Sequence, residues 1–429
     1  MSASSRWLII SFHAGVDGLA CSHHLDARIP YLVQRGVQPI LVNSWQAARI
    51  REYAQSRTAC PSPSGVRLAV RSCLRRRIRH AAVAKALRST ALLPIMPFYL
   101  LEKAVYDVDA AWWWRVPAAA AATSLSRRYQ PQIIYSTGGP YSAHAAAAAC
   151  ARRTGLPWIA EMQDPLVSPY WPKSRREKKI VLAVERQVCH RADAAVFLTD
   201  AARRAAEART GISNAWRVIY PGAVPMSVAA APAANDRFTV AHFGSLSGTR
   251  TLVNTLRAVG DLLSRRPEIR RALSLRHCGT IDTASAREVS RFACPDALQI
   301  QSKVPQEECA RLMRSSDVLL LIQHTDELSA QTIPSKVYEY LLSGRRILGL
   351  THDNRELDGM LRSEGHVVTA ADDPAGIASA IEEMYDLWAA GHLLPQPPSG
   401  KWSVERAVDQ LVELANEIIR QRGDRPPTV

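Results

Sequence analysis

Lys336 and Glu339 stand one helical turn apart in the run Gln331-Thr332-Ile333-Pro334-Ser335-Lys336-Val337-Tyr338-Glu339. Pro334 suits the first turn of a helix, where its missing N–H is not needed. Val337, Tyr338, Leu341 and Leu342 repeat with the spacing of one buried face, so a helix is predicted from Ser335 to Leu342. A loop running into a helix N-terminus offers unpaired N–H groups and a partial positive charge, to which Lys336 adds a full one. That is chemistry for a diphosphate. Glu339 is placed to accept hydrogen bonds from a pair of ribose hydroxyls. A second segment, Gly244-Ser245-Leu246-Ser247-Gly248-Thr249-Arg250, follows the apolar run Phe238 to Phe243. Gly244 and Gly248 let a backbone approach a phosphate closely, and Arg250 can hold one through two parallel bonds. Each feature also has a plain alternative: a surface lysine on an amphipathic helix, and a solvated arginine on a strand-to-helix turn.

The first half of the chain offers residues of another kind. Gly15 to Gly18 lie in a glycine loop between an apolar strand at 6–13 and a helix closed by Gly36. Gly138-Gly139-Pro140 ends a strand at 133–136, and Gln163-Asp164-Pro165 ends another at 157–161. In open α/β sheets ligands sit outside the carboxyl ends of strands, so Gly138, Gly139 and Asp164 are expected at one cleft. Tight turns and a capping aspartate would explain them equally well. His23 and His24 are adjacent, and neighbours on a helix point about 100° apart, so they do not read as a metal pair.

The run Pro334 to Leu341 with Ser343-Gly344-Arg345 resembles the donor-binding element of retaining GT-B glycosyltransferases, family 4 (glycosyl transferases group 1) in particular. The resemblance implies that Lys336 contacts the diphosphate and Glu339 the ribose. It implies that Arg250, after its glycine loop, holds the diphosphate. Family members often carry a first glutamate where this chain has Gln331. Asp164 alone is carried over from an Arg-Asp-Pro-Trp run, in which Gln163 and Leu166 replace the arginine and tryptophan. The Gly15–Gly18 loop would face the acceptor or the donor phosphate. The reaction implied is transfer of a sugar from a nucleotide-diphosphate sugar to an acceptor hydroxyl, with retention. The acceptor is expected to be a lipid-linked or polysaccharide precursor. The catalytic set would be Arg250, Lys336 and Asp164. No cofactor is expected, the nucleotide sugar being a substrate. No metal is expected to be essential, on the reading that the chain carries no Asp-x-Asp. A GT-B nucleotide-sugar epimerase and a non-catalytic GT-B-like partner in polysaccharide assembly are the alternatives.

The elements that must position these residues alternate strand and helix, so the fold class is α/β with two Rossmann-like domains facing across a cleft. The expected division is an acceptor domain at 1–222, a linker at 223–237, a donor domain at 238–400 and a closing segment at 401–429 whose helix crosses back to the first domain. Residues 60–115 interrupt the pattern. Arg67, Arg71, Arg75 and Arg79 recur every four residues and form one ribbon on a helix, thickened by Arg76 and Arg77. An apolar run at 91–101 and Trp112-Trp113-Trp114 follow. Basic helix, apolar segment and tryptophans suit an interfacial membrane contact, although the tryptophans also suit a core. The net charge of +15 calls for an acidic partner, and no nucleic-acid module is present. With 47% hydrophobic and 22% charged residues the chain is globular, and no apolar run approaches the roughly 18 residues that span a bilayer. The eight cysteines show no metal spacing and fit a reducing cytoplasm, with peripheral attachment to the inner face of the cell membrane.

Overall fold

The computed structural model describes residues 5–16, 20–77, 90–168, 171–225 and 236–423. Gly18 and Arg79 lie outside them, as do the side chains of Arg75, Arg76 and Arg77. The chain divides into two compact units, Met1–Tyr220 with Ala407–Val429, and Pro221–Arg406.

The first unit runs β1 (Ser5–Ile10), α1 (Ala20–Gln34), β2 (Val37–Ser44), β3 (Ala54–Thr58), α2 (Pro63–Arg77), α3 (Met96–Tyr106) and α4 (Arg115–Tyr129). It continues through β4 (Ile133–Thr137), α5 (Ser142–Thr154), β5 (Trp158–Met162), α6 (Arg175–Arg191), β6 (Ala194–Phe197), α7 (Asp200–Thr210) and β7 (Ala215–Val218). The strands form a seven-stranded sheet in the order β3-β2-β1-β4-β5-β6-β7. All neighbours are parallel, with Leu8 beside Ile40 on one side and Ile134 on the other. The central strands are mostly apolar, with β4 and β5 buried along their whole length, because both faces are covered, as parallel sheets require. One face packs on Trp114 and the alanines of α4 and α5, the other on α1 and the closing helix.

The second unit runs β8 (Phe238–Phe243), α8 (Val253–Arg265), β9 (Leu273–Cys278), α9 (Thr283–Arg291), β10 (Leu298–Gln301), α10 (Gln306–Arg314) and β11 (Val318–Ile322). After these come α11 (Lys336–Leu341), β12 (Arg346–Thr351), α12 (Arg355–Ser363), β13 (Val367–Ala370) and α13 (Pro374–Ala389). Its sheet is six-stranded and parallel, in the order β10-β9-β8-β11-β12-β13. Helix α14 (Val404–Gly423) closes the chain. From Ala407 onward it belongs to the first unit, where Val408, Leu411, Leu414 and Ala415 are buried with Trp7 and Ile9.

Tyr141 occupies the cap position of α5 and makes no side-chain cap bond. Thr199 caps α7, accepting the Ala202 N–H at 3.1 Å. The expected linker is corrected. The second unit already begins at Pro221, and Ala223 pairs with Ser403, so the first part of the expected linker is structured. Most of the remainder, 226–235, is outside the described residues. Of the three tryptophans, Trp114 is fully buried against Phe12, while Trp112 and Trp113 are half-buried under Arg115.

Candidate functional site

In the second unit the strand order reverses between β8 and β11, and the loops that follow these two strands flank that switch point. Parallel α/β sheets bind ligands there. The loop after β8 carries Gly244, Ser245, Gly248 and Arg250; the loop after β11 leads through Gln331 and Pro334 into α11.

The two ends are tightly made. Gly244 and Gly279 both have positive φ, and a Cβ on Gly279 would lie 1.9 Å from the Gly244 carbonyl oxygen. Only glycine permits this approach of the loops after β8 and β9. The Gly244 N–H donates to Cys278 and the Leu246 N–H to Thr280. Gly248 and Thr249 rest on the β11 loop, where the Thr249 hydroxyl bonds His324 at 3.1 Å and donates to Asp326 at 3.2 Å. Ser245 and Gly248 are exposed.

Helix α11 is shorter than the predicted one, but its buried face holds Val337, Tyr338 and Leu341 as read, with Tyr340 in addition. The Tyr340 hydroxyl accepts the Phe243 N–H at 2.9 Å and so ties α11 to the end of β8. Lys336 Nζ donates to Glu339 Oε2 at 2.8 Å, and both side chains are about one-third exposed. The Arg250 guanidinium is largely buried, and among the described residues its Nε has no partner. Desolvation lowers its pKa, partly opposed by the charge of Asp326.

Arg250 and Lys336 both act on one buried group, His242. Burial holds its imidazole well below the ordinary range, and His277, Arg250 and Lys336 push it further down. His242 and His277 stack with ring centroids 5.1 Å apart and Nδ1 atoms at 3.0 Å. Sequence reading missed this pair, and no signal in either strand alone announces it. It also missed Gln323 and Asn354, buried amides that each donate to the carbonyls of Ser329 and Thr332. These two side chains fix the loop that delivers Gln331 and Pro334. Asn354 could have been suspected as a helix cap, and it does accept the Leu357 N–H.

In the first unit, Gly15 has φ +73, and its N–H is held by Asp26 at 3.0 Å. That donor is occupied inside the turn. Gly138 also has positive φ, and a Cβ there would touch the Gln163 side chain, so the ends of β4 and β5 are adjacent. Gly139 has open space around its Cα. Asp164 is exposed to water, though enough protein crowds round it that desolvation raises its carboxyl above the usual range. Its exposure is what leaves it open to a ligand. Its charge reaches the Cys21 thiol at the start of α1.

Below these loops lies a buried network that sequence reading also missed. Arg28 pairs with Glu161, and Glu161 accepts hydrogen bonds from Tyr135 at 2.8 Å and Thr137 at 2.9 Å. Burial alone would raise the Glu161 carboxyl; Arg28 and these hydroxyls outweigh it and hold the carboxyl below its usual range. Gln163 donates to Thr137 at 3.0 Å, which carries the network up to the strand end.

The Arg67 guanidinium lies over the Tyr99 ring at 4.2 Å, and Arg71 follows it one turn on. The reading that no Asp-x-Asp is present is corrected: Asp107-Val108-Asp109 is one, just after α3 in the first unit. Asp107 faces Lys103 at 3.8 Å and Asp109 accepts the Ala111 N–H at 2.8 Å. Among the described residues no three His, Cys, Asp or Glu side chains form a group able to hold a metal ion. No helix of the described residues is long and apolar enough to cross a membrane.

Residues 47–222 match the glycosyl transferase 4-like domain family. The match runs through 60–115, where the motif resemblance is absent. No curated protein sequence matches the chain. Solved structures with the same fold include HepE of Anabaena with UDP-glucose, 12% identical, TM-score 0.62, covering 96% of this chain and 99% of that one. The α,α-trehalose 6-phosphate synthase of Burkholderia multivorans is 15% identical, TM-score 0.61, with both chains fully covered. The UDP complex of MnaA from S. aureus is 11% identical, TM-score 0.52, covering 99% of this chain and 100% of that one. At such identities the likeness shows the fold. Two parallel sheets of this order, each flanked by helices, and these structures lead to one conclusion: the chain has the GT-B fold, and residues 47–222 of it match the glycosyl transferase 4-like domain family.

Proposed function

We propose that the protein transfers a sugar from a nucleoside-diphosphate sugar to an acceptor hydroxyl with retention, the diphosphate lying against Arg250 and Lys336. The observation that carries this reading is Arg250: a largely buried cation whose Nε lacks a partner among the described residues, beside a glycine loop at a switch point. A buried donor left unmade costs roughly 1–3 kcal/mol, a cost that an anion would remove. Solved proteins of this fold hold UDP-glucose and UDP, which supports a nucleotide sugar as donor. In the retaining scheme the leaving phosphate takes the acceptor proton, and Arg250 and Lys336 stabilise the departing charge as it develops. Glu339 would receive the ribose, and Asp164, Gly138 and Gly139 would lie on the acceptor side. A thermal-shift series over nucleotide sugars tests the reading. Stabilisation should follow the diphosphate, and free nucleotide should be released only with acceptor. Stabilisation by sugars without a diphosphate would overturn it, and epimerised donor without acceptor would favour the epimerase.

We also propose that the acceptor is a lipid-linked or polysaccharide precursor met at an anionic membrane surface. Helix α3 supports this: none of its residues is buried, and Phe98 is 65% and Leu101 63% exposed. The basic helix α2 precedes it. Lys and Arg near an anionic surface contribute about 1 kcal/mol each, so reversible attachment needs no span. The protein should co-sediment with anionic vesicles and be released by moderate salt. Equal binding to neutral vesicles would refute the electrostatic part.

A further inference from the structure

A cavity of about 280 Å³ lies within the first unit, walled by α2, by α3 with the turn after it, and by residues 171–177. It is just below the roughly 300–1,000 Å³ of small-ligand sites, room for one sugar and a phosphate. Two of its lining groups are buried and have no hydrogen-bond partner among the described residues, Arg67 Nε and Ser64 Oγ. Tyr99 fixes the Arg67 guanidinium in place by stacking at 4.2 Å. Arg71 lines the same wall, one turn along α2, and no ion pair to it is found among the described residues. The unmet donors of Arg67 and Ser64, with the exposed Arg71 guanidinium beside them, match the several oxygens of a phosphate.

The opposite wall has different chemistry. Glu177 is buried, and its carboxylate accepts from the Tyr141 hydroxyl at 3.2 Å and the Lys173 N–H at 3.1 Å. A carboxylate has about four acceptor sites, so capacity remains for sugar hydroxyls. Desolvation raises the carboxyls of both Glu177 and Asp109, which marks this wall as shielded from water. Trp171 adds an aromatic face of the kind a sugar ring packs against.

We propose that this cavity binds a sugar phosphate, with the phosphate on Arg67, Arg71 and Ser64 and the sugar hydroxyls on Glu177. The same chemistry is offered by a soluble sugar phosphate and by the sugar-phosphate end of a prenyl-linked saccharide. That this ligand is the acceptor rests on the transferase reading above; that it binds does not. The test is calorimetry on the full chain without nucleotide, using the 1-phosphates of glucose, galactose, mannose and N-acetylglucosamine. Inorganic phosphate and the free sugars serve as controls, and neutral vesicles carrying prenyl-phosphate glucose form the second arm. At least one probe should bind tenfold or more tighter than phosphate or sugar alone. The double variant Arg67→Gln/Arg71→Gln should lose tenfold or more of that affinity while its UDP binding is unchanged, which also shows that it is folded. Glu177→Gln should reduce the preference for sugar phosphate over phosphate. Binding in solution identifies a soluble source, and binding only on vesicles, with the same arginine dependence, a lipid-linked one. No binding in either arm, equal binding of inorganic phosphate, or an unaffected double variant would overturn the proposal.

Discussion

Lys336 and Glu339 neutralise each other across one turn of α11. Both are about one-third exposed, and a pair so placed contributes only about 0.2–1 kcal/mol. A diphosphate making a charge-assisted bond gains roughly 1.5–3 kcal/mol, so it can draw the ammonium away and leave the carboxylate free for a ribose. The Lys336–Glu339 pair is thus compatible with separate roles when a nucleotide is bound. Glu339→Gln should weaken nucleotide binding and shrink the advantage of UDP over its 2′-deoxy form to near unity. A ribose preference equal to that of the parent would reduce Glu339 to a helix-surface residue.

At the scale of elements, the loops proposed to hold the donor depend on how closely strand ends approach. Gly279→Ala would drive a Cβ into the Gly244 carbonyl at a φ of +151°, so the loops after β8 and β9 must part. We expect a loss of about 2–4 kcal/mol in stability together with weaker nucleotide binding. Gly391→Ala, also at positive φ but with open space around it, should cost only about 1 kcal/mol and leave binding intact. Equal melting temperatures for the two variants would contradict the close-approach account. Strand β8 was legible to the residue, since its apolar run is six residues long, too short for a helix, and is closed by a glycine. The α11 motif was legible because its buried face repeats at helical spacing. His242 and His277 were not, because they meet only through the register of β8 against β9, which neither strand encodes alone. Arg28 and Glu161 stayed hidden for the same reason: a charge on a helix and a charge in a strand read as surface and strand end until packing joins them.

For the whole molecule, acid should be destabilising in both units. His144 in the first and His366 in the second are buried, and burial lowers each to about 4 from an ordinary 6.5. Between those values the unfolded chain binds protons that the folded chain does not, so stability falls as pH drops from about 6.5 towards 4. Melting temperature should decline over that window, and His144→Gln should flatten the decline. A melting temperature constant from pH 7 to 4.5 would contradict this. The net charge of +15 acts at the same scale, favouring anionic ligands and surfaces wherever they meet the protein. The central claim is that the second unit holds a nucleoside diphosphate on Arg250 and Lys336, and calorimetric titration of UDP and GDP tests it most directly. The Nε of Arg250 has no partner among the described residues and Lys336 has only a weak one, so removing either should leave the melting temperature nearly unchanged. The account predicts that Arg250→Ala and Lys336→Ala each bind the preferred nucleotide about tenfold or more weakly than the parent; parental affinity in both variants would contradict it.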